Sequence, residues 1–286
     1  MTPAEKLLAQ QARERFAAAI SVPEESIDLA RAALLVAAED EPHTNVEHYL
    51  ALLDELGDTA RARSAQQSFN AAVKAFNQFM FEELNFAGNQ LDYYGARNSF
   101  LNEVLDRRTG IPITLSIVYT EIGRRAGLRV EGVGLPGHFI VRVNDINDPD
   151  ERIFVDPFHG RTLSRDDCQD LLDTVYGGQI ALAEEHLHRA TNKEILIRLL
   201  TNLKGIYASA QLFKRALATV ERILLIAPES VNEHRDRAAL LAQLSRTTEA
   251  ITELRYYLRN APEDAPDKEN IREQLKSLHA QLAARN

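Results

Sequence analysis

Apolar residues recur at three- and four-residue intervals through most of this chain and give way to strict alternation in one short central stretch. Residues 1–105 read as helical. The opening MTPAEKLLAQQARERF is an amphipathic helix carrying both acids and bases, unlike a signal peptide. Ser21 and Glu24 have the spacing of a capping box, with Pro23 in the first turn between them. They predict a helix reaching about Glu39, with Ile27, Leu29, Ala30, Ala33, Leu34 and Leu35 along it and Asp40-Glu41-Pro42 as its break. Val46 to Leu56 and Ala60 to Leu84 continue the pattern, the first stopping at Gly57. A loop rich in Gly, Asn and Tyr follows, and Asn98 or Ser99 is placed to cap the next helix. Tyr93, Tyr94 and Phe100 either cover the core or line a binding surface.

The centre of the chain carries the candidate chemistry. Leu115, Val118, Tyr119, Ile122 and Ala126 predict a buried helix with Pro112 in its first turn, where a missing N–H is harmless, and Gly127 as its stop. Alternation then runs through His138-Phe139-Ile140-Val141-Arg142-Val143 and through Ile153-Phe154-Val155-Asp156. Between them Asn144 to Glu151 is a concentrated turn signal. A hairpin centred near Asp148 sets Ile140 opposite Asp156. His138 then shares the face of Asp156 on a diagonal of about 7–8 Å, within reach of an imidazole and a carboxylate. A carboxylate bonded to one ring nitrogen fixes the tautomer and leaves the other nitrogen as a base. The same pair also reads as a satisfied core histidine.

These residues resemble a transglutaminase-like core, in which Gly-x-Cys opens a buried helix, a His begins a strand and an Asp ends the next. Gly110, His138 and Asp156 fit that pattern, and Pro112 stands two residues after Gly110, where the nucleophilic cysteine is expected. Phe86 to Asn102, Gly110 to Leu128 and Gly132 to Phe139, with the runs GIPITLS and GLPGHF, are similar to the bacterial SirB-type family over most of residues 30–260. The resemblance implies a transglutaminase-like domain joined to helical repeats, with proline at the ancestral cysteine position and no established reaction.

The tail points to repeats independently. Ala227-Pro228-Glu229 recurs as Ala261-Pro262-Glu263, the 34-residue tetratricopeptide period. Counting back from Pro228 puts Ala216, Tyr207, Leu203 and Leu200 at the small and apolar repeat positions. The next repeat gives Ala250, Leu241 and Leu254, but Arg237 and His234 where apolar residues belong. A terminal helix of about 267–284 completes the unit. The expected fold is therefore α+β: a helical N-terminal region and transglutaminase-like (papain-like) core with an antiparallel sheet in 1–185, then an all-α tetratricopeptide tail in 186–286.

Composition narrows the functional classes. At 286 residues, with 45% hydrophobic and 26% charged residues, about two globular domains are expected. The net charge of −9 divides into −13 for residues 1–186 and +4 for 187–286, which argues against nucleic-acid binding. No apolar run spans a membrane. Cys168 is the sole cysteine, so no internal disulfide forms and a reducing, cytoplasmic setting is expected. It sits after Ser164, a predicted N-cap with Asp167 three residues on, beside Asp166 and Asp167, which oppose thiolate formation; it reads as a small buried residue. Thr114 and Ser116 read as core-facing or back-bonded hydroxyls. His138, Asp156, His159 and Cys168 are zinc-capable but lack a recognised ligand spacing, so neither a metal nor a cofactor is expected. Three readings compete: a degenerate domain acting with its repeats as a protein-binding, regulatory scaffold; a hydrolase or acyl-transfer enzyme using His138 and Asp156 with an unidentified nucleophile; and a zinc enzyme on the same pocket. Without the cysteine, thiol-dependent transglutaminase or protease activity is not expected. No small-molecule substrate can be named.

Overall fold

Helix α1 (Pro3–Ile20) begins a computed structural model that describes residues 2–283. Thr2 caps α1 by accepting from the Glu5 N–H at 3.2 Å, while its own N–H donates to Glu5 Oε2 at 2.6 Å. Helix α2 (Leu29–Asp40) is buried almost all round, from Leu29 to Ala38 with only Arg31 breaking the run, so it serves as a core helix. Its start corrects the sequence reading. Asp28 accepts from the Arg31 N–H at 2.9 Å, whereas Glu24–Ser26 forms a single 3-10 turn and Ser21 Oγ bonds back to the Ala17 carbonyl at 2.6 Å.

Helix α3 (Val46–Ser64) runs straight through Gly57. That glycine is a packing device: a Cβ there would lie 2.3 Å from Arg125 Cβ. The helix expected from Ala60 to Leu84 is interrupted at 65–68 and resumes as α4 (Phe69–Asn77), which widens into a π-helical turn over Gln78–Glu83. After strand β1 (Ala87–Gly88) comes a 3-10 turn, Ala96–Ser99, and α5 (Leu101–Arg107), whose N-cap is Phe100. Asn98 is no cap. Its amide donates to the Asp92 carbonyl at 2.5 Å, holding the preceding loop.

Strand β2 (Thr109–Gly110) pairs in parallel with β1, and α6 (Pro112–Arg125) follows it. Leu115, Val118, Tyr119, Ile122 and Ala126 are all buried, and Gly127 adopts φ +90° just beyond the helix, as its stop requires. The sheet is antiparallel throughout, in the order β3 (Arg129–Val133), β4 (Ile140–Asn144), β5 (Arg152–Asp156), β6 (Arg161–Leu163). Val141 pairs with Val155 and Asn144 with Arg152, which is the register expected for a hairpin centred on Asp148. One face carries Ile140 and Phe154, which join Val133, Leu135, Leu163, Leu187 and Cys168 in an apolar cluster. Cys168 lies on α7 (Arg165–Tyr176), capped by Ser164 with Asp167 as predicted. On the other face α6 packs so closely that a Cβ on Gly123 would come within 2.7 Å of Val130.

The chain divides into two compact units, residues 1–199 and 200–286, and the division falls inside α8 (Asn192–Ser209). Residues 186–199, assigned to the tail from sequence, pack in the first unit: the Ala190 N–H donates to the Gly132 carbonyl at 2.9 Å. The second unit continues with α9 (Phe213–Ile226), α10 (Val231–Gln243), α11 (Thr247–Asn260) and α12 (Lys268–Ala283). Every apolar repeat position named from sequence is buried: Leu200, Leu203, Tyr207, Ala216, Leu241, Ala250 and Leu254. Gln211 and Ser245, one repeat apart, both take the left-handed φ of +58° in the turn between helices. His234 and Arg237 share one acid, and Arg237 also lies 3.6 Å from Glu221 Oε1. Glu253 on α11 accepts from His234 Nδ1 at 2.5 Å and from Arg237 Nη1 at 2.9 Å, so the α10–α11 contact is polar at that point. The last residues of the expected terminal helix, 284–286, lie outside the described residues.

Candidate functional site

Strand β5 ends on Asp156, and the turn that follows folds back over its carboxylate. Oδ1 accepts the backbone N–H groups of Phe158 at 2.9 Å and His159 at 3.3 Å, which fixes the plane of the group. Oδ2 then receives two imidazoles, His138 Nε2 at 2.9 Å and His159 Nδ1 at 2.6 Å. Asp156 is fully buried and His138 nearly so, while the His159 side chain is 39% exposed. Burial alone would raise the carboxyl pKa. The hydrogen bonds and charges of His138 and His159 outweigh it and hold the pKa down to about 2, so the group stays a carboxylate. A neutral ring that donates its bonded N–H to Oδ2 keeps the lone pair on its other nitrogen, Nδ1 in His138 or Nε2 in His159.

His138 reaches this position from a turn instead of from a strand. Strand β4 begins two residues later, at Ile140, and the preceding Gly137 takes φ +74°. The His138 N–H donates to the Leu135 carbonyl at 3.1 Å, closing the turn. Arg198 on α8 then staples it: Nη2 donates to the carbonyls of His138 at 2.7 Å and Leu135 at 3.1 Å, and the guanidinium lies over the Phe139 ring. Nothing local to the sequence announces Arg198, which is 60 residues away from the carbonyl it holds. Phe158, also missed, stands edge-on to both imidazoles, with centroids 6.3 Å from His138 and 5.0 Å from His159. Tyr93 packs against Phe158, whereas Tyr94 is 78% exposed and covers no core; Phe100 is buried.

A second set of bonds ties this turn to the start of α6. The Gly88 N–H donates to the Phe158 carbonyl at 3.0 Å and the Asn89 N–H to the Gly110 carbonyl at 2.8 Å. Gly88 has to be glycine, since a Cβ there would lie 2.6 Å from the Phe158 ring. Pro112 occupies the first turn of α6, buried. One turn further on, Ser116 Oγ is 3.4 Å from the carbonyl of Phe139, the residue after His138. Thr114 Oγ1 accepts from the Ile111 N–H at 3.1 Å and lies 2.8 Å from the Asn98 carbonyl, so both hydroxyls are structural in their contacts. Beyond Gly160 a cleft of about 620 Å³ opens between Gly160–Thr162 and the Asn77–Phe81 segment. Cys168 is set apart in the apolar cluster, and burial, followed by the charge of Asp167, pushes its thiol up to about 11.

Comparison with known proteins agrees with this architecture. The profile of the transglutaminase-like superfamily matches residues 47–201, and that of the tetratricopeptide repeat matches 203–276. A UPF0162 protein of Xylella fastidiosa is 34% identical over 249 residues, 85% of this chain and 87% of the relative. Protein SirB1 of Salmonella typhimurium is 31% identical over 184 residues, 64% of this chain and 67% of its own length. F-box only protein 21 of Homo sapiens is 35% identical over 161 residues, 51% of this chain but 24% of that protein. No solved structure matches. Together the site's architecture, the two matched domains and these relatives place the chain in the SirB-type, UPF0162 family of transglutaminase-like proteins with tetratricopeptide repeats.

Proposed function

We propose that this protein is a cytoplasmic, protein-binding regulatory scaffold whose transglutaminase-like domain no longer performs thiol chemistry. The observation that carries the reading is the state of its sulfur. Pro112 follows Gly110 by two residues, where the resemblance leads one to expect the nucleophile, and Cys168, the sole thiol, is fully buried in an apolar cluster with its pKa raised to about 11. A transglutaminase-like triad without its nucleophile loses nearly all of its rate advantage. The repeat tail supports the binding half of the proposal, because stacked helix pairs present extended recognition surfaces. Among the described residues no helix is long and apolar enough to cross a membrane. Capture experiments with the full chain and with a version lacking residues 210–286, both checked for folding, test the reading. The same proteins should be retained by the first and lost from the second; equal retention would place recognition elsewhere.

The geometry of His138 and Asp156 favours one alternative, a hydrolase or acyl-transfer enzyme that activates water or another nucleophile. A carboxylate fixed by two backbone N–H groups and bonded to an imidazole is the arrangement of a general base. Ester or amide turnover abolished by His138→Ala in a folded protein would establish this reading in place of the first.

A further inference from the structure

A paired base requires one imidazole, yet two are aimed at Asp156. One ring nitrogen each from His138 and His159 and a carboxylate oxygen of Asp156 all lie within 4.8 Å of one another, and Nε2 of His138 and Nδ1 of His159 are the nitrogens that meet Oδ2. We propose that these three residues form a binding site for one divalent transition-metal ion of the zinc class. The inference goes beyond the scaffold reading and does not depend on it, since it requires no catalysis.

The arrangement has the features such a site needs. Oδ1 is taken up by the N–H groups of Phe158 and His159, so Oδ2 is presented as the donor and the carboxylate cannot turn away. Gly137 and the Arg198 staple fix the backbone of His138, and Phe158 stands edge-on to both rings. Tetrahedral zinc holds its ligands at about 2.0–2.2 Å, hence roughly 3.3–3.5 Å apart. The Oδ2–nitrogen separations of 2.9 and 2.6 Å would therefore open by somewhat less than 1 Å, a movement the half-exposed His159 can supply. As metal ligands both rings present a lone pair at these nitrogens, so a proton held there passes to the other ring nitrogen or to solvent.

The donor set selects the class of ion. Two imidazoles and one carboxylate suit zinc and its first-row neighbours, whereas calcium and magnesium prefer all-oxygen shells. Cys168 takes no part, because its sulfur is packed among Val133, Leu135, Ile140 and Phe154. Three protein donors leave a position open in a tetrahedral shell for water or for a donor brought by another molecule.

The test uses the full chain, stripped with a chelator and titrated with zinc in competition with a chromophoric chelator. Cobalt(II) serves as a visible probe. Wild-type protein should bind one equivalent. His159→Ala should weaken binding at least about tenfold and remove the cobalt ligand-field bands. Cys168→Ser and His279→Ala, a histidine on α12 of the second unit, should change neither. If His159→Ala does not fold, the wild-type cobalt spectrum decides the matter: nitrogen and oxygen ligation without thiolate charge transfer supports the site. Absence of zinc binding by wild-type protein, equal affinity in a folded His159→Ala, or loss of binding in Cys168→Ser would overturn the proposal.

Discussion

Asp156 shows how much one side chain can organise, since its two oxygens accept from two backbone amides and two imidazoles. The pairing of His138 with it was legible in the sequence because the Asn- and Asp-rich turn fixes the hairpin register, and register fixes which residues share a face. Arg198 was not legible, because it acts through main-chain carbonyls and leaves no local pattern. Two predictions belong to single residues. Cys168 should be alkylated by iodoacetamide slowly at pH 8 in the native protein and rapidly once unfolded, as mass spectrometry can follow; its burial and raised pKa of about 11 both withhold the thiolate. Rapid native labelling would contradict the burial. The second concerns Glu131, which accepts from Arg142 at 2.6 Å and Asn144 at 3.0 Å. Burial alone would raise its pKa, but these bonds and the charges of Arg142 and Arg189 hold it below the ordinary value of 4.5. A depressed pKa contributes stability above the unfolded value and loses it as pH falls through the folded one. Glu131→Gln should therefore be less stable than wild type in urea at pH 7, with the gap closing as the pH is taken well below 4.5.

Among the elements, helix boundaries departed from the local punctuation at two places, once through tertiary packing and once through a local turn. Gly57 looks like a helix stop, but it lies mid-helix because α3 passes within van der Waals reach of Arg125 on α6. Gly57→Ala should destabilise by about 1–3 kcal/mol through overpacking, measured by thermal or urea unfolding. A neutral or stabilising effect would mean that Arg125 yields freely. At the start of α2, Asp28 caps the helix and the box at Ser21 and Glu24 does not, because the intervening prolyl segment closes a short 3-10 turn. In the tail, His234 and Arg237 break the apolar pattern and are reconciled by Glu253, a contact across helices that single-helix periodicity cannot reveal. Glu253→Ala should cost about 1–3 kcal/mol, because His234 and Arg237 both lose a largely buried acceptor, leaving His234 the Pro228 carbonyl and Arg237 only the longer contact to Glu221. Equal urea midpoints would show that water replaces it.

Over the whole molecule, the division into two domains was readable because each has its own periodic signature: a hairpin amid buried helices, then a 34-residue repeat. The point of division was less so, since α8 is one continuous helix serving two compact units. The proposed loss of thiol chemistry rests on Pro112 standing where the resemblance leads one to expect a nucleophile, with His138 and Asp156 kept as a bonded pair. The most direct measurement is the pKa of the thiol introduced by Pro112→Cys, in a Cys168→Ser background and with chelator present, followed by alkylation rate against pH. Losing a helix-start proline should cost only about 0.4–1 kcal/mol, so the variant should fold. The introduced thiol should titrate below the reference of about 8.5, lowered by the helix N-terminus and the imidazole, and its pKa should rise again when His138→Ala is added. A folded protein whose introduced thiol titrates near 8.5, indifferent to His138, would contradict it.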